Sequence, residues 1–470
     1  MSTSGKPNVL LIIADDLGAD NVLVTDRSPE RKMYVMTDSG GPMILGELDI
    51  LSILLRCGLE FDQAWAHASC SPTRGSIYTG TWPWRNGVGS PANPQLDPAL
   101  VTALPELLGP EGYECGLFGK WHLGTAAGYR PPDHGWDRHV GTLGGMITDY
   151  RNWPKQDSDT GYAAGPNSMV YATRETVEEA GIWIAGRPVD IPWFATIAFH
   201  TPHDPFHDPP FGYELPGGVA PATDDDRFNA MAQNMDANIG RLFGTGAGPA
   251  MDCIARDQLE NTVIIFLGDN GSHWDIATEE AKTTIYEGGV RVPMIVADGH
   301  AVANEMSGAK PVPRFLAAGK LNRTSPRLVH AVDLYATITE IAGVTAALPA
   351  NMDSVSLWRF PSLAGPQSST RRFNFSQHYT GDVQRATIRN LDYKLNYEHP
   401  NQWSLYAYRE REVPGLENGS AEDIYSSALA DVQAGVSNDA ADNLNALLNE
   451  LICSGNYAID SAGTAWLDPR

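Results

Sequence analysis

Cys70-Ser71-Pro72-Thr73-Arg74 places a thiol, a proline and a guanidinium in one short stretch, followed by Gly75 and by Thr79-Gly80. Proline suits the first turn of a helix, where its missing N–H costs nothing. Cys70 is therefore expected at a helix N-terminus, facing unpaired N–H groups and the positive end of the helix dipole. Such a place favours an anion. Arg74 lies one turn later on the same face, so its guanidinium is expected to hold whatever group Cys70 carries or attacks. The Cys-to-Arg spacing is shorter than in the phosphate-cradling loop of thiolate phosphatases, which excludes that chemistry. A free cysteine is most often just a small buried hydrophobe, so other residues must decide.

Two apolar runs end in candidate cation ligands. Residues 8–16 read N-V-L-L-I-I-A-D-D and stop at Asp15 and Asp16, while residues 262–267 read T-V-I-I-F-L and deliver Asp269 and Asn270 after Gly268. Continuous apolar runs of this kind read as strands buried on both faces of a parallel sheet. Open α/β sheets bind ligands beyond the carboxyl ends of their strands, which is where both pairs stand. Adjacent buried acids are costly unless a cation or partner neutralises them. Oxygen donors select a hard cation, Ca2+ or Mg2+, over zinc. A solvated loop explains the first pair equally well when it is taken alone. Lys120 and His122 flank Trp121 at the end of another short strand, 113–118. In an extended segment they share a face, a cation beside a titratable base, although a surface lysine and a packed histidine are the commoner reading of such a pair. A further buried strand, 193–199, runs into His200-Thr201-Pro202-His203-Asp204-Pro205.

The frame that positions these residues is expected to be α/β, a large mostly parallel β-sheet sandwiched by helices. Helical patterns run over 48–59, 104–108, 228–243 and 329–343, residues 17–45 read as loop, and 294–297 as a strand. Beyond about residue 370, shorter alternating strands at 371–379, 385–389 and 393–397 and a helix near 441–451 predict a smaller C-terminal antiparallel α+β subdomain. The expected division is a catalytic domain over 1–370 and that subdomain over 371–470, in keeping with the usual limit on a single core.

The chain carries 33 Lys and Arg against 57 Asp and Glu, a formal charge of −24, with no basic run. Nucleic acid and anionic membrane are thereby excluded as expected partners, and polyanionic glycans are disfavoured. Five cysteines, Cys57, Cys70, Cys115, Cys253 and Cys453, are few, odd in number and widely spaced. They form neither zinc pairs nor a disulfide framework, which points to reduced thiols. The apolar run at 9–14 is too short for a signal-peptide core and no segment approaches membrane-spanning length, so the expected location is cytoplasmic.

Cys70-Ser71-Pro72-Thr73-Arg74 with Gly75 and Thr79-Gly80 resembles the signature of the formylglycine-dependent sulfatases of the alkaline phosphatase superfamily. The likeness continues in order through Gly119-Lys120-Trp121-His122-Leu123-Gly124, the His200 to Pro205 stretch, Asp269-Asn270-Gly271, and Lys282 ahead of Tyr286-Glu287-Gly288-Gly289. It covers most of residues 7–343 and is nearest in kind to bacterial arylsulfatases. One departure stands before the first helix, where Gly46-Glu47 precedes Leu48-Asp49 in place of the family's Pro-Asn pair.

The resemblance implies an alkaline phosphatase-like fold and hydrolysis of sulfate monoesters, aryl or other small esters. It implies that a formylglycine-generating enzyme converts Cys70 to formylglycine, whose hydrate gives one oxygen to a cation and another as nucleophile. Asp15, Asp16, Cys70, Asp269 and Asn270 would hold that cation, Ca2+ by family habit, with Mg2+ or Mn2+ as alternatives. Lys120 and Lys282 would stabilise the sulfate oxygens, Arg74 would orient the hydrate, His122 would take its second proton, and His203 or Lys282 would protonate the leaving oxygen, with His200 in reserve for His203. A phosphonate monoester or phosphodiester hydrolase shares this machinery and is the alternative reading. A third is an unprocessed homologue that keeps the thiol and only binds anions. The acidic balance favours small neutral or cationic alcohols and phenols as leaving groups, Trp82, Trp84 and Trp153 are candidate pocket aromatics, and a homo-oligomer is left open.

Overall fold

The structure, a computed structural model, describes residues 5–22, 32–36, 42–92, 94–213, 220–245, 253–276, 281–316, 319, 321–358, 371–380, 383–398, 402–407, 425–434, 436–455, 457–459 and 465–467. In chain order the first strands are β1 (Asn8–Ala14), β2 (Lys32–Met36), β3 (Pro42–Glu47), β4 (Gly58–Trp65), β5 (Glu114–Lys120) and β6 (Arg138–Thr142). They are followed by β7 (Gln156–Asp157), β8 (Trp193–Ala198), β9 (Thr262–Gly268), β10 (Met294–Asp298) and β11 (Arg323–His330). Nine of these form one sheet in the order β11-β4-β10-β9-β1-β8-β5-β6-β7. β10 runs antiparallel to β4 and β9, and β7 to β6, while the remaining pairings are parallel.

β1 lies at the centre with every residue buried. Strand alternation sends its side chains to two layers. Leu10 and Ile12 pack with Leu54 of the Asp49–Arg56 helix, Val177 of Ala172–Ala185 and Met235 of Asp224–Leu242. Val9, Leu11 and Ile13 face the opposite layer, with Ile77 of the Cys70–Thr79 helix and Leu334 of Asp333–Ala342. The result is the helix-sheet-helix sandwich that a run apolar on both faces requires. β1 and β9 pair in phase from Asn8 opposite Thr262 to Ala14 opposite Gly268. The Asp269 N–H then donates to the Ala14 carbonyl at 3.0 Å, so Asp15-Asp16 and Asp269-Asn270 leave the sheet together.

A second, antiparallel sheet is built from β12 (Asn374–Thr380), β13 (Val383–Arg389), β14 (Tyr393–Glu398) and β15 (Gln402–Ala407) in sequential order. Leu444, Leu447 and Leu451 of the Asp439–Gly455 helix pack on Phe375, Ile388 and Leu395 of this sheet. The expected boundary at residue 370 falls in 359–370, outside the described residues.

Three expectations are corrected. Residues 17–45, read as loop, contain β2 and most of β3, an antiparallel hairpin that pairs Tyr34 with Ile44. The helix expected over 48–59 stops at Arg56, and Gly58 opens β4. A Cβ there would stand 2.5 Å from the Val296 carbonyl oxygen, so only glycine allows β4 and β10 to approach. The helix expected over 329–343 is split, because Leu328 to His330 complete β11 against Gln63 to Trp65 and the helix begins only at Asp333. The carboxylate of Asp333 accepts the His330 N–H at 2.9 Å and is held by Arg371, which pins that corner. Among the described residues, no helix is long and apolar enough to cross a membrane.

The two sheets are joined by a buried ionic seam. Glu287 accepts from Lys394 of β14 at 3.2 Å and from the Trp65 indole at 3.3 Å, with Arg389 at 3.7 Å. Burial alone would raise the Glu287 pKa, but Lys394, Arg389 and Arg291 outweigh it and hold the carboxyl below its ordinary 4.5. Glu287→Gln leaves Lys394 buried without its anion and is expected to cost about 3–5 kcal/mol in urea denaturation. The sign of the pH effect follows. A depressed carboxyl contributes stability above its unfolded pKa and loses it as pH falls through the folded value, so the variant should lose this part of the acid-side slope.

Candidate active site

The Cys70–Thr79 helix carries the first functional group. Ser69 caps it in an extended conformation and Gly80 ends it in the left-handed region at φ 67°, where a Cβ would meet the Tyr335 ring at 2.6 Å. Cys70 is 2% exposed, at the first helical position, as the proline predicts. Its Sγ lies 3.2 Å from Nδ1 of His122. His122 itself has φ +56°, a left-handed conformation unusual for a side-chain-bearing residue. Ser71 Oγ donates to its carbonyl at 2.9 Å, and its own N–H donates to Leu143 at 3.2 Å. Strain held by such contacts is typical of functional positions.

Four carboxylate or amide groups and three cations converge beside this pair. Lys120 Nζ donates to Asp15 Oδ2 at 2.5 Å. Lys282 Nζ reaches both oxygens of Asp16, at 2.6 and 2.9 Å, and Asn270 Nδ2 donates to Asp16 Oδ1 at 2.8 Å. Arg74 is held by two partners. Its Nε and Nη2 both donate to Asp269 Oδ2, at 2.9 and 2.7 Å, and Nη1 donates to the Lys120 carbonyl at 2.9 Å. Its task is to fix Asp269 and the end of β5.

His203 places Nε2 3.7 Å from Asp16 Oδ2, while Nδ1 is held 2.8 Å from Asp204 Oδ1. His200 is buried, with Nε2 2.8 Å from the Thr142 hydroxyl. Tyr150, to which the sequence assigned no chemistry, donates to the carbonyls of both His200 and His203, at 2.6 and 2.7 Å, and so sets the loop that carries His203. Trp153 lies 6.2 Å from the His200 ring and is 1% exposed, and Trp82 is 3% exposed. Trp153 is a packing residue, whereas Trp82 also lines a cavity with Asp353, Arg371 and Phe373.

The donors fit a hard cation. Asp15 Oδ1 and Asn270 Oδ1 are buried without a hydrogen-bond partner, a costly condition that a bound cation relieves. Donor atoms of Asp15, Asp16 and His203 lie within 4.8 Å of one another. That grouping includes His203, which the sequence assigned to the leaving group, and lacks Cys70 and Asp269, which the sequence placed among the ligands.

A protein-family model described as Sulfatase matches residues 7–344. The chain belongs to the sulfatase family. Family membership carries the class of reaction, sulfuric ester hydrolysis. An uncharacterized sulfatase, YdeN, of Escherichia coli K12 is 25% identical over 401 residues, spanning 76% of this chain and 66% of that protein. Among solved structures, Ps i-CgsB in complex with k-i-k-neocarrahexaose is similar with a TM-score of 0.68 at 21% identity, covering 91% of each chain. The phosphonate monoester hydrolase of Agrobacterium radiobacter is similar with a TM-score of 0.63 at 18% identity, covering 98% of this chain and all of that one, 100%. The fold is accordingly that of the alkaline phosphatase superfamily.

Electrostatics separate the two histidines of this sulfatase-family centre. Burial, then the charges of Lys120, Arg74 and Lys282, hold His122 well below its ordinary pKa, so the imidazole is neutral. Burial also pulls on His203, but Asp16 and Asp15 outweigh it and raise that pKa. Two imidazoles pushed apart in this way suit a base and an acid. Asp16 is lowered because Lys282 and His203 overcome its burial. Asp269 is raised by burial and by Asp15, against Arg74.

Gly145 lies over the His122 ring. A Cβ there would stand 2.0 Å from Cε1 and 2.3 Å from Nδ1. Gly145→Ala is therefore expected to displace the imidazole and lower kcat about 10²-fold, the usual effect of a small misplacement. Thermal melting beside steady-state kinetics checks that the fold survives.

Proposed function

We propose that the chain hydrolyses small sulfate monoesters, aryl or otherwise, at Cys70 after its conversion to formylglycine. The observation that carries this reading is the contact of Cys70 Sγ with Nδ1 of a neutral His122, beside buried carboxylate and amide oxygens that lack partners. Formylglycine would supply the nucleophilic hydroxyl, and a hard cation held by Asp15, Asp16, Asp269 and Asn270 would lower the pKa of that hydroxyl. Ca2+ is the cation proposed, with Mg2+ or Mn2+ as alternatives. Lys120 and Lys282 set positive charge where sulfate oxygens gain negative charge in the transition state. His122 accepts a proton at Nδ1, the atom that faces residue 70. His203 holds a proton on Nε2 for the departing oxygen. Arg74 keeps Asp269 in place, and Lys282 keeps Asp16 ionised.

A formylglycine-generating enzyme is the partner required for maturation. The charge of −24 supports a neutral or cationic alcohol or phenol and argues against nucleic acid or membrane. A cytoplasmic location is proposed on the cysteine usage; Cys57, Cys70, Cys115 and Cys253 are free thiols in the structure.

Hydrolysis of phosphonate monoesters is the second reading, favoured by the likeness to the Agrobacterium radiobacter enzyme along nearly the whole chain. Relative kcat/KM on 4-nitrophenyl sulfate and on 4-nitrophenyl phenylphosphonate separates the two. A sulfate preference is the expected result. A phosphonate preference overturns the proposed substrate, and no turnover of either by protein carrying formylglycine overturns the catalytic reading.

A further inference from the structure

The loops that follow β8 and β9 each bring a polar site residue and, three positions later, an aromatic ring. After His203 comes Phe206, and after Asn270 comes His273, followed at once by Trp274. The rings meet. Phe206 and His273 have centroids 5.5 Å apart in an edge-to-face arrangement, and His273 lies 3.8 Å from Trp274. Phe206 is backed in turn by Phe228, at 6.0 Å.

This group is anchored to the catalytic end of the sheet. Ser272 Oγ accepts the Gly18 N–H at 2.9 Å and the Asn21 side chain at 2.6 Å, and the Ser272 carbonyl accepts the Lys282 N–H at 2.9 Å. The chain is thus fixed on both sides one residue before the rings begin. Phe206, three residues after His203, meets His273 and so ties the rings to the loop that carries His203 and Asp204. Asp204 is the residue that holds His203, the proposed proton donor to the leaving oxygen. The rings therefore stand on the leaving-group side of the centre.

Trp274 is 64% exposed although the chain is tied down at Ser272, two residues before it. Core packing does not account for it. An indole presented to solvent on the loop that follows Asn270 offers a flat apolar face, which suits an aryl ring or the C–H face of a sugar ring. Around it, Asp204 and Asp275 have exposed carboxylates, with side chains 37% and 57% accessible, so a second anionic group on the ligand would be repelled.

We propose that Trp274, seated on His273, which Phe206 backs in turn, is the platform that binds the ring of the leaving alcohol or phenol and so determines substrate specificity. The inference rests on the sulfatase reading for its orientation, since the ring is taken to be the part released at His203. Trp274 is a specificity residue here and takes no part in proton transfer.

The test compares wild type, Trp274→Ala and Trp274→Phe on 4-nitrophenyl sulfate, on a monosulfated pyranoside and on propyl sulfate, which has no ring. Trp274→Ala is expected to lower kcat/KM about tenfold or more on a ring-bearing ester, mainly through KM. Propyl sulfate should change little, and Trp274→Phe should restore most of the loss. A loss confined to the aryl ester identifies an aryl subsite, and one confined to the pyranoside identifies a sugar subsite. Equal losses on all three esters, or no loss on any, overturn the proposal. Binding of 4-nitrophenyl sulfate to Cys70→Ala and to Cys70→Ala/Trp274→Ala, by titration calorimetry, separates this from the fate of the sulfatase reading. If wild type turns over no sulfate ester, the catalytic reading fails, whereas weaker binding on loss of the indole still supports the platform and unchanged binding removes it.

Discussion

Cys70→Ala is expected to lower kcat by at least about 10⁴-fold, the order seen when a covalent nucleophile is removed and only binding groups remain. The side chain is small, 2% exposed and the first of its helix, so the change removes one sulfur and few packing contacts. The fold should survive, with circular dichroism and the urea midpoint close to wild type. Lys120, Lys282 and the carboxylates remain, so the variant should still bind a sulfate ester that it no longer cleaves. Mass spectrometry of the wild-type tryptic peptide 57–74 supplies the chemical half of the test. Conversion turns the CH2–SH of residue 70 into an aldehyde, an oxidation that removes sulfur and two hydrogens and adds one oxygen. Cys57, in the same peptide, has its thiol pushed up to about 12 chiefly by burial and should remain unmodified. A Cys70→Ala protein that keeps a tenth of wild-type turnover would falsify the assignment of the nucleophile. An unmodified thiol in protein made by its own host would instead favour a binding protein.

What the sequence disclosed follows from the reach of local signals. β1 and β9 were legible because a run buried on both faces has no polar positions to blur it, whereas their in-phase pairing appears only in the folded sheet. Cys70 at a helix start was legible from Pro72. The orientation of Arg74 was not. Helical spacing places its Cα on the face of Cys70, but the side chain answers to Asp269, 195 positions along the chain. A buried guanidinium must satisfy its donors, and no local pattern states which carboxylate arrives. The nearness of His203 to Asp16 was hidden in the same way, since it is made by two loops that meet only in the folded sheet. Tyr150 was missed for a simpler reason. Its hydroxyl acts on backbone carbonyls, whose positions no residue type announces. The strand β11 was read as helix because 329–330 continue an apolar pattern into the true helix, with the Asp333 corner as the only break.

Asp16→Asn is expected to have the second large effect, and through more than one route. The carboxylate is buried at φ +61° and accepts from Lys282 and Asn270, with His203 3.7 Å away. Asparagine keeps the shape and removes the charge. Lys282 then loses its anion in a buried site, which is costly. Cation affinity should fall at least tenfold, and kcat/KM by about 10²-fold or more, since the same charge holds a ligand set and a lysine that faces the sulfate. The pH profile gives the sharper reading. His203 has a raised pKa because Asp16 and Asp15 outweigh its burial. A group needed in its protonated form is lost as pH rises through that pKa, so it sets the alkaline limb. Removing the Asp16 charge lowers the pKa and moves this limb to lower pH, while His122, already held neutral by burial and Lys120, should leave the acid limb where it is. Equilibrium dialysis of Ca2+ and kcat/KM from pH 5 to pH 9 on both proteins test the two routes separately. Weaker cation binding with an unmoved alkaline limb would take His203 out of the acid role and leave it as a ligand. A limb that moves while affinity holds would keep the acid and remove Asp16 from the cation site.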